Sequence, residues 1–227
     1  MKNDYSKIEN LIFDLDNTII LDKDEDIETY KEALENLGYN SEDYYKIYSA
    51  IDETEELLTE DDVYFTKEKT LNYINKKLNR NYTIELLDEL SNSVGKYWIK
   101  NILLDQKIVE YLYKKYNLYV YTNFFEKGQY ERLQNIGYDK YFKKVFGADN
   151  YGAKPFKKGI ENVLNEMGAK PEECLMIGDT KGKDILSASK VGMQAILFDF
   201  DGTRDKKEIN LNNYIVIKDF KELLEIL

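Results

Sequence analysis

Two aspartates stand directly after the first apolar segment of the chain. Residues 11–13 are Leu-Ile-Phe, which predicts a short buried strand, and Asp14 and Asp16 follow it. Residues i and i+2 of an extended segment project to the same side, so both carboxylates can face one pocket. Two anions held that close repel each other unless a metal ion or a shared proton relieves the repulsion. Aspartate is also common in turns after strands, so this segment alone fits a turn as well.

Two later segments place groups that can bind phosphate. Thr122 and Asn123 follow an apolar strand predicted at 118–121, where a hydroxyl and nearby backbone N–H groups can hold a phosphate oxygen. Lys154, fixed by the Pro155 that follows it, can supply one positive charge to a phosphoryl group. Each segment is weak on its own, because a Thr-Asn turn is ordinary and an isolated lysine usually lies at the surface.

A second pair of carboxylates comes after the apolar strand predicted at 174–177. Gly178 lets the backbone turn sharply at the strand end, and Asp179 and Asp184 follow it. Hard oxygen ligands near a phosphate suit Mg²⁺, which typically takes one or two carboxylates and keeps several waters. This segment therefore predicts a magnesium site.

The composition excludes several kinds of chemistry. The chain has no His and a single Cys, Cys174, which removes His-based triads, His or Cys metal sites and internal disulfides. A net charge of −11 argues against non-specific nucleic-acid binding, which depends on Lys and Arg. No apolar run approaches the roughly 20 residues that span a bilayer, and the first residues show no secretion signal. We expect a cytoplasmic protein without membrane contacts, as a monomer or a weak homodimer.

Apolar runs alternate with helical patterns, which predicts an α/β fold with a parallel sheet. The predicted strands are 11–13, 118–121, 174–177, 195–198 and 215–217. About a hundred residues separate the first two, and their apolar side chains recur at helical spacing. We predict a helical cap domain at 20–103, inserted into an α/β core domain at 1–19 and 104–227. Residues 22–100 hold 20 acidic and 10 basic side chains. This acidic excess either forms a solvated surface or disfavours the binding of polyanionic ligands.

The order of the motifs resembles the haloacid dehalogenase superfamily. The chain carries Asp-x-Asp-x-Thr at 14–18, Thr-Asn at 122–123, Lys-Pro at 154–155 and Gly-Asp-x-x-x-x-Asp at 178–184. The resemblance spans about residues 11–227, and the helical insert lies where that superfamily places a C1-type cap. It implies a Rossmann-like sheet with strand order 5-4-1-2-3 and a cap that closes over the site.

The resemblance also implies roles for the polar residues. Asp14 corresponds to the nucleophile that takes the phosphoryl group as an aspartyl-phosphate, and Asp16 to the general acid and base. Thr122 would bind the phosphoryl group with Asn123 beside it, and Lys154 would neutralise developing charge. A carboxylate nucleophile divides one difficult displacement into two, and charge neutralisation is the main catalytic work in phosphoryl transfer.

The same resemblance implies one Mg²⁺ ion. Its ligands would be the Asp14 carboxylate, the Asp16 backbone carbonyl and Asp179, with Asp184 as a ligand or a neighbour of the ligands. Lys183 stands where the superfamily usually has Asn, Ser or Thr, and it adds a charge near the metal loop. An aspartate at position 16 resembles the phosphatases and phosphomutases, because true dehalogenases lack this carboxylate and P-type ATPases carry Lys there.

Two further details concern the first motif. Asn17 replaces a glycine that is frequent at this site in the family, a change also seen in active phosphatases and nucleotidases. A second Asp-x-Asp-x-Thr occurs at Asp199–Thr203, after a predicted strand, but only 24 residues follow it, too few for the later motifs. In the implied order that strand is the fifth, at the sheet edge. We expect this second segment to be catalytically silent.

We expect a Mg²⁺-dependent phosphatase that hydrolyses phosphomonoesters of small metabolites. By resemblance the substrate is a nucleoside monophosphate or a sugar phosphate. The motif Asp-Leu-Asp-Asn-Thr slightly favours a resemblance to pyrimidine 5′-nucleotidases. One alternative is a phosphomutase of the β-phosphoglucomutase type, which would yield an isomer instead of free phosphate. Another is a non-catalytic ligand-binding regulator on the same fold.

Overall fold

A six-stranded parallel sheet forms the centre of the protein. The computed structural model describes residues 4–21, 28–204, 211 and 213–227. The spatial order of the strands is β3-β2-β1-β4-β5-β6. In chain order they are β1 (Asn10–Phe13), β2 (Asn117–Thr122), β3 (Phe142–Gly147), β4 (Cys174–Gly178), β5 (Gln194–Phe198) and β6 (Tyr214–Ile217).

The first five strands follow the order 5-4-1-2-3, so the predicted fold class is confirmed. β6 pairs in parallel with β5, from Ala195–Tyr214 to Phe198–Ile217. The expectation that the fifth strand lies at the edge of the sheet is therefore wrong, because β6 covers it. β3, at the opposite edge, was not among the predicted strands, since Lys143 and Lys144 interrupt its apolar pattern.

β1 is the centre of the sheet and is buried on both faces. Leu11 and Phe13 pack into one hydrophobic core, and Ile12 packs into the core on the other side of the sheet. This alternation follows from the two-residue period of a strand. Burying a large apolar side chain contributes roughly 1.5–3 kcal/mol, so both cores hold β1 in place.

Helices cover both faces of the sheet. They are α5 (Gln106–Tyr113), α6 (Glu126–Asn135), α7 (Ala148–Tyr151), α8 (Lys157–Met167), α9 (Leu186–Lys190) and α10 (Leu223–Ile226). α8 ends at Gly168, which adopts the left-handed conformation with φ of 63°. Within the described residues, no helix combines the length and the apolarity needed to cross a bilayer.

The segment after β1 is helical, as its periodicity predicts. It forms α1 (Glu28–Asn36), α2 (Tyr44–Glu56), α3 (Lys67–Leu78) and α4 (Ile84–Tyr97). Their apolar side chains share one hydrophobic core with Phe125, Ala148 and Ala153 of the sheet domain. Ile20–Leu21 and Asn101–Ile102 pair as a short antiparallel ribbon at the two ends of the segment. We call this helical segment the cap. Of the predicted core and cap segments, residues 1–3, 22–27, 205–210 and 212 lie outside the described residues.

The cap helix α4 packs directly on the core helix α6. A Cβ atom added at Gly128 of α6 would lie 2.5 Å from Ser91 Oγ and 2.8 Å from the Ser91 carbonyl oxygen of α4. A Cβ atom at Gly95 of α4 would lie 3.0 Å from the Glu131 side chain. The absence of a side chain at Gly128 therefore sets how closely the two helices approach.

Replacing Gly128 by Ala is expected to destabilise the protein by about 1–3 kcal/mol, because the backbone of α4 must move away. Gly95→Ala is the matched control: it brings the same gain in helix propensity, and its added Cβ would lie 3.0 Å from Glu131 Cβ and Oε2, a milder clash than 2.5 Å and 2.8 Å at Gly128. We expect Gly95→Ala to lose less stability than Gly128→Ala. Thermal or denaturant unfolding of both variants measures the difference, and a Gly128→Ala variant as stable as the wild type would contradict this packing.

Candidate active site

The polar residues singled out in the sequence meet at one edge of the sheet. Asp14 and Asp16 follow β1, Thr122 ends β2, and Asp179 follows β4. Because β1 pairs in parallel with both β2 and β4, the carboxyl ends of these strands are adjacent. The Asp14 N–H donates to the Ile177 carbonyl at 2.8 Å and so continues the pairing to the first aspartate. Ligand sites of parallel α/β sheets lie at this edge.

Lys154 lies between two carboxylates. Its Nζ is 2.7 Å from Asp14 Oδ1 and 2.7 Å from Asp184 Oδ1, and its side chain is only 2% exposed. Burial by itself lowers the pKa of Lys154, but the two carboxylates outweigh burial and raise this pKa above its ordinary value. The lysine therefore keeps a buried positive charge beside Asp14.

Three buried carboxylates share this end of the pocket. Asp14, Asp179 and Asp184 each offer an oxygen within 4.8 Å of the others. Burial, reinforced by repulsion from Asp184 and Asp179, raises the pKa of Asp14 well above its usual range, although Lys154 opposes the shift. Burial also raises the pKa of Asp179 to about 6, with a further rise from Asp184. Lys154 and Arg204, which pairs with Asp179, bring two positive charges to three carboxylates, and the hard oxygen donors of the cluster fit Mg²⁺.

Asp16 has a different set of partners from Asp14. Gln129 Nε2 donates to Asp16 Oδ2 at 2.8 Å, and Arg132 Nη1 forms an ion pair with Asp16 Oδ1. The same Gln129 Nε2 donates to Thr122 Oγ1 at 2.8 Å. The Arg132 side chain is 1% exposed, whereas that of Asp16 is 30% exposed. Asp16 is thus fixed on one side and open to the pocket on the other, which suits proton transfer.

Two asparagines support the motif loops. Asn17 has φ of 56°, in the left-handed region that glycine and asparagine adopt most readily, which explains the residue at this position. Asn123 Nδ2 donates to the Lys154 carbonyl at 2.8 Å, and the Lys154 N–H donates to Asn123 Oδ1 at 2.7 Å. The side chain of Asn123, expected beside the phosphate, therefore holds the backbone that carries the lysine.

The cap forms one wall of the pocket, a cavity of about 300 Å³. Tyr30, Tyr48 and Trp98 line it from the cap side, and the ring centroid of Tyr30 lies 5.7 Å from those of the other two. Asp52 and Glu55 of α2 also line the cavity. The pocket therefore has an aromatic and acidic wall opposite the carboxylate cluster.

Three hydrogen bonds join the cap to the core around this pocket. Glu55 Oε1 accepts from Lys183 Nζ at 2.6 Å and from Asn123 Nδ2 at 2.7 Å. Arg132 Nη2 donates to the Trp98 carbonyl at the end of α4, at 2.6 Å. Lys183, which departs from the family pattern, thus has a cap residue as its partner.

The second Asp-x-Asp-x-Thr segment reaches the pocket through the residue that follows it. Arg204 Nη1 donates to Asp179 Oδ2 at 2.8 Å, and its guanidinium lies 3.2 Å from Asp201 Oδ2. Asp199 Oδ1 accepts from the Arg204 N–H at 2.7 Å. Neither carboxylate of this segment belongs to the buried cluster of Asp14, Asp179 and Asp184.

Sequence reasoning missed Gln129, Arg132, Arg204 and Glu55 as pocket residues. Gln129 and Arg132 stand three apart on α6, one helical turn, and α6 begins just after Thr122, so that spacing was a usable signal. Glu55 and Arg204 gave no comparable signal, because their contacts depend on how the cap and the loop after β5 fold over the sheet.

One protein-family model matches most of the chain. The model for haloacid dehalogenase-like hydrolases matches residues 11–198. That range contains β2 to β5, all of β1 but Asn10, and all of the site residues predicted from the sequence, from Asp14 to Asp184.

Curated relatives cover different parts of the chain. A glyceraldehyde 3-phosphate phosphatase from Methanothermobacter thermautotrophicus is 38% identical over 118 residues, which is 50% of this chain and 52% of that protein. Pyrophosphatase PpaX from Listeria monocytogenes is 30% identical over 187 residues, 76% of this chain and 75% of the relative. The chain thus spans about half the length of the first relative and three quarters of the second.

Solved structures share the fold over nearly the whole chain. A HAD phosphatase from Thermococcus onnurineus has a TM-score of 0.63 at 22% identity and covers 96% of this chain and 97% of its own. A 2-haloacid dehalogenase from Pseudomonas syringae has a TM-score of 0.66 at 18% identity, covering 96% and 97%. At these identities the likeness concerns the fold alone. With the family model matching most of its length, the chain belongs to the haloacid dehalogenase-like hydrolases.

Proposed function

We propose that this protein is a Mg²⁺-dependent phosphatase that hydrolyses phosphomonoesters of small metabolites, such as nucleoside monophosphates or sugar phosphates. The observation that carries the proposal is the buried Asp14–Lys154–Asp184 contact beside Asp179, at the carboxyl end of the sheet. The names of the curated relatives, a phosphatase and a pyrophosphatase, support cleavage of a phosphoryl bond.

In this proposal the reaction has two displacements at phosphorus. A carboxylate oxygen of Asp14 bonds to phosphorus while the bond to the leaving alcohol breaks, and Asp16 gives the alcohol oxygen a proton. Asp16 then takes a proton from a water molecule, the water oxygen bonds to phosphorus, and the bond to Asp14 breaks. Free phosphate leaves, and both aspartates return to their starting state.

In this proposal Lys154 neutralises charge at the phosphoryl group. Its ammonium group already lies 2.7 Å from Asp14 Oδ1, where a transferred phosphoryl group would arrive. A preorganised charge in a site that excludes water stabilises developing charge more strongly than one in solvent. Mg²⁺, held by Asp14, Asp179, Asp184 and the Asp16 carbonyl, would supply additional positive charge and orient the phosphate.

Orientation of the proton donor falls to α6. Gln129 and Arg132 hold the two carboxylate oxygens of Asp16 from one side. Gln129 also bonds to Thr122, the residue proposed to bind the phosphoryl group. The same helix therefore fixes the proton donor relative to the phosphate site. Proton transfer requires this, because donor and acceptor must lie within hydrogen-bond reach.

The size and lining of the cavity limit which phosphomonoesters fit, and therefore which alcohol serves as the leaving group. Its volume of about 300 Å³ lies at the lower end of the range for small-molecule sites. Aromatic rings of Tyr30, Tyr48 and Trp98 face the space where the alcohol would lie, and acidic residues of α2 disfavour further phosphates. These features favour monophosphates of small molecules over phosphorylated chains.

Asp14→Asn is expected to abolish phosphate release from p-nitrophenyl phosphate while the protein stays folded, because an amide keeps the shape but cannot form the acyl phosphate. Asp16→Asn should lower kcat on the order of 10²-fold or more, the usual scale of acid–base catalysis. Asp62→Asn, at an exposed position of the cap, is the matched control and should retain activity. Substantial turnover by folded Asp14→Asn would refute the nucleophile.

Removal of divalent metal with EDTA is expected to abolish activity, and added Mg²⁺ should restore it. Ca²⁺ should inhibit, because its larger and more flexible coordination shell allows bidentate binding by Asp14 and so ties up the nucleophile. Phosphate release is measured after metal removal and again after each ion is added. Full activity in EDTA would rule out the metal requirement.

Substrate size gives a further check. We expect kcat/KM for ribose 5-phosphate and nucleoside monophosphates to exceed by far the values for a phosphopeptide or a 5′-phosphorylated oligonucleotide, because the cap leaves room only for a small alcohol. Phosphate release from each compound at the same enzyme concentration measures this. Comparable kcat/KM for the two classes would contradict the proposed selectivity.

A further inference from the structure

The loop after β5 brings a cation to the buried carboxylates. Arg204 Nη1 donates to Asp179 Oδ2 at 2.8 Å, and the Arg204 side chain is 27% exposed. The other oxygen of Asp179, Oδ1, accepts from Thr180 Oγ1 at 3.1 Å. Both oxygens of this carboxylate are therefore oriented by the protein itself.

The two aspartates of the second motif hold Arg204 in place. Asp199 Oδ1 accepts the Arg204 backbone N–H at 2.7 Å, and Asp201 Oδ2 lies 3.2 Å from Arg204 Nη2. The guanidinium carbon also lies 4.8 Å from the centre of the Phe200 ring. Backbone, charge and ring contacts thus converge on one arginine from the three residues 199–201.

The sheet anchors this loop. The Asp199 N–H donates to the Ile217 carbonyl at 2.8 Å, which extends the pairing of β5 with β6 to the first aspartate of the motif. The sixth strand, absent from the predicted order, therefore supports the loop that carries Arg204. The position of Asp179 is in this way linked to an edge strand two places away from β4.

We propose that Asp199–Arg204 is an orienting arm, in which Arg204 is a positioning residue that fixes the Asp179 carboxylate for binding a divalent cation. The inference rests on the proposed function only in taking Asp179 as a metal ligand. Hydrogen-bond partners of ligating carboxylates orient them, and their loss typically lowers metal affinity by roughly 10–100-fold. The second motif thus acts through structure and not as a nucleophile.

The direction in which metal affinity changes after loss of Arg204 distinguishes a positioning role from a purely electrostatic one. A nearby guanidinium repels a divalent cation, so removing its charge alone would strengthen metal binding. Weaker metal binding after loss of Arg204 is therefore the result that lost orientation predicts and lost repulsion does not. Lys183 provides the matched comparison, because it lines the same pocket but its partner is Glu55 of the cap.

The experiment titrates the metal-free protein with Mn²⁺, without substrate, and reads free Mn²⁺ by electron paramagnetic resonance. We expect Arg204→Gln to raise the dissociation constant on the order of 10-fold. Asp201→Asn should raise it by less, since Arg204 stays but loses one anchor. Lys183→Gln should leave the dissociation constant unchanged or lower it. Thermal unfolding confirms that each variant is folded, and Asp201→Asn replaces Arg204→Gln if the latter does not fold.

Unchanged or tighter Mn²⁺ binding by folded Arg204→Gln would overturn the orienting arm while leaving the metal site intact. A raised KM with unchanged Mn²⁺ affinity would also overturn it and make Arg204 a substrate-binding residue. If the wild type itself binds no Mn²⁺, the metal site of the proposed function fails, and the arm fails with it.

Discussion

The buried charge of Lys154 between Asp14 and Asp184 constrains the rest of the site. An ammonium group out of contact with water is strongly unfavourable unless carboxylates pair with it at close range. The loop that carries it is therefore tied down: Asn123 bonds to both the N–H and the carbonyl of Lys154, and the Tyr121 hydroxyl donates to the carbonyl two residues earlier. Residues at the end of β2 thus fix the position of Lys154, which pairs with Asp14 at the end of β1.

The two aspartates after β1 differ because their surroundings differ. Asp14 lies among buried charges, whereas Asp16 is held by Gln129 and Arg132 and stays open to the pocket. Opposite environments for neighbouring carboxylates are what separate a nucleophile from a proton donor. The Arg132 contact with the Trp98 carbonyl adds a link from Asp16 to the end of α4, so the position of the cap and that of the proton donor are connected.

Much of this architecture could be predicted from the sequence, because buried strands and helical periodicity depend on local patterns. Asp14, Asp16, Thr122, Lys154 and Asp179 meet as the motif order implies, since parallel strands bring their carboxyl ends together. β3 escaped prediction because Lys143 and Lys144 interrupt its apolar pattern. The strand at 215–217 was predicted, but its place at the edge beyond β5 was not, because pairing between strands is not encoded in a local pattern. The partners of Asp16, Lys183 and Asp179 depend on how distant segments pack, which spacing along one chain does not encode.

The proposed mechanism requires above all that Asp14 forms a covalent bond to phosphorus. Mixing the enzyme with acetyl phosphate that carries a radioactive phosphoryl group, then stopping the reaction with acid within one turnover, tests this directly. We predict that the label appears transiently on the peptide that contains Asp14 and decays as fast as phosphate is released. Phosphate release without labelled protein, or label on the peptide that contains Asp199, would contradict the account.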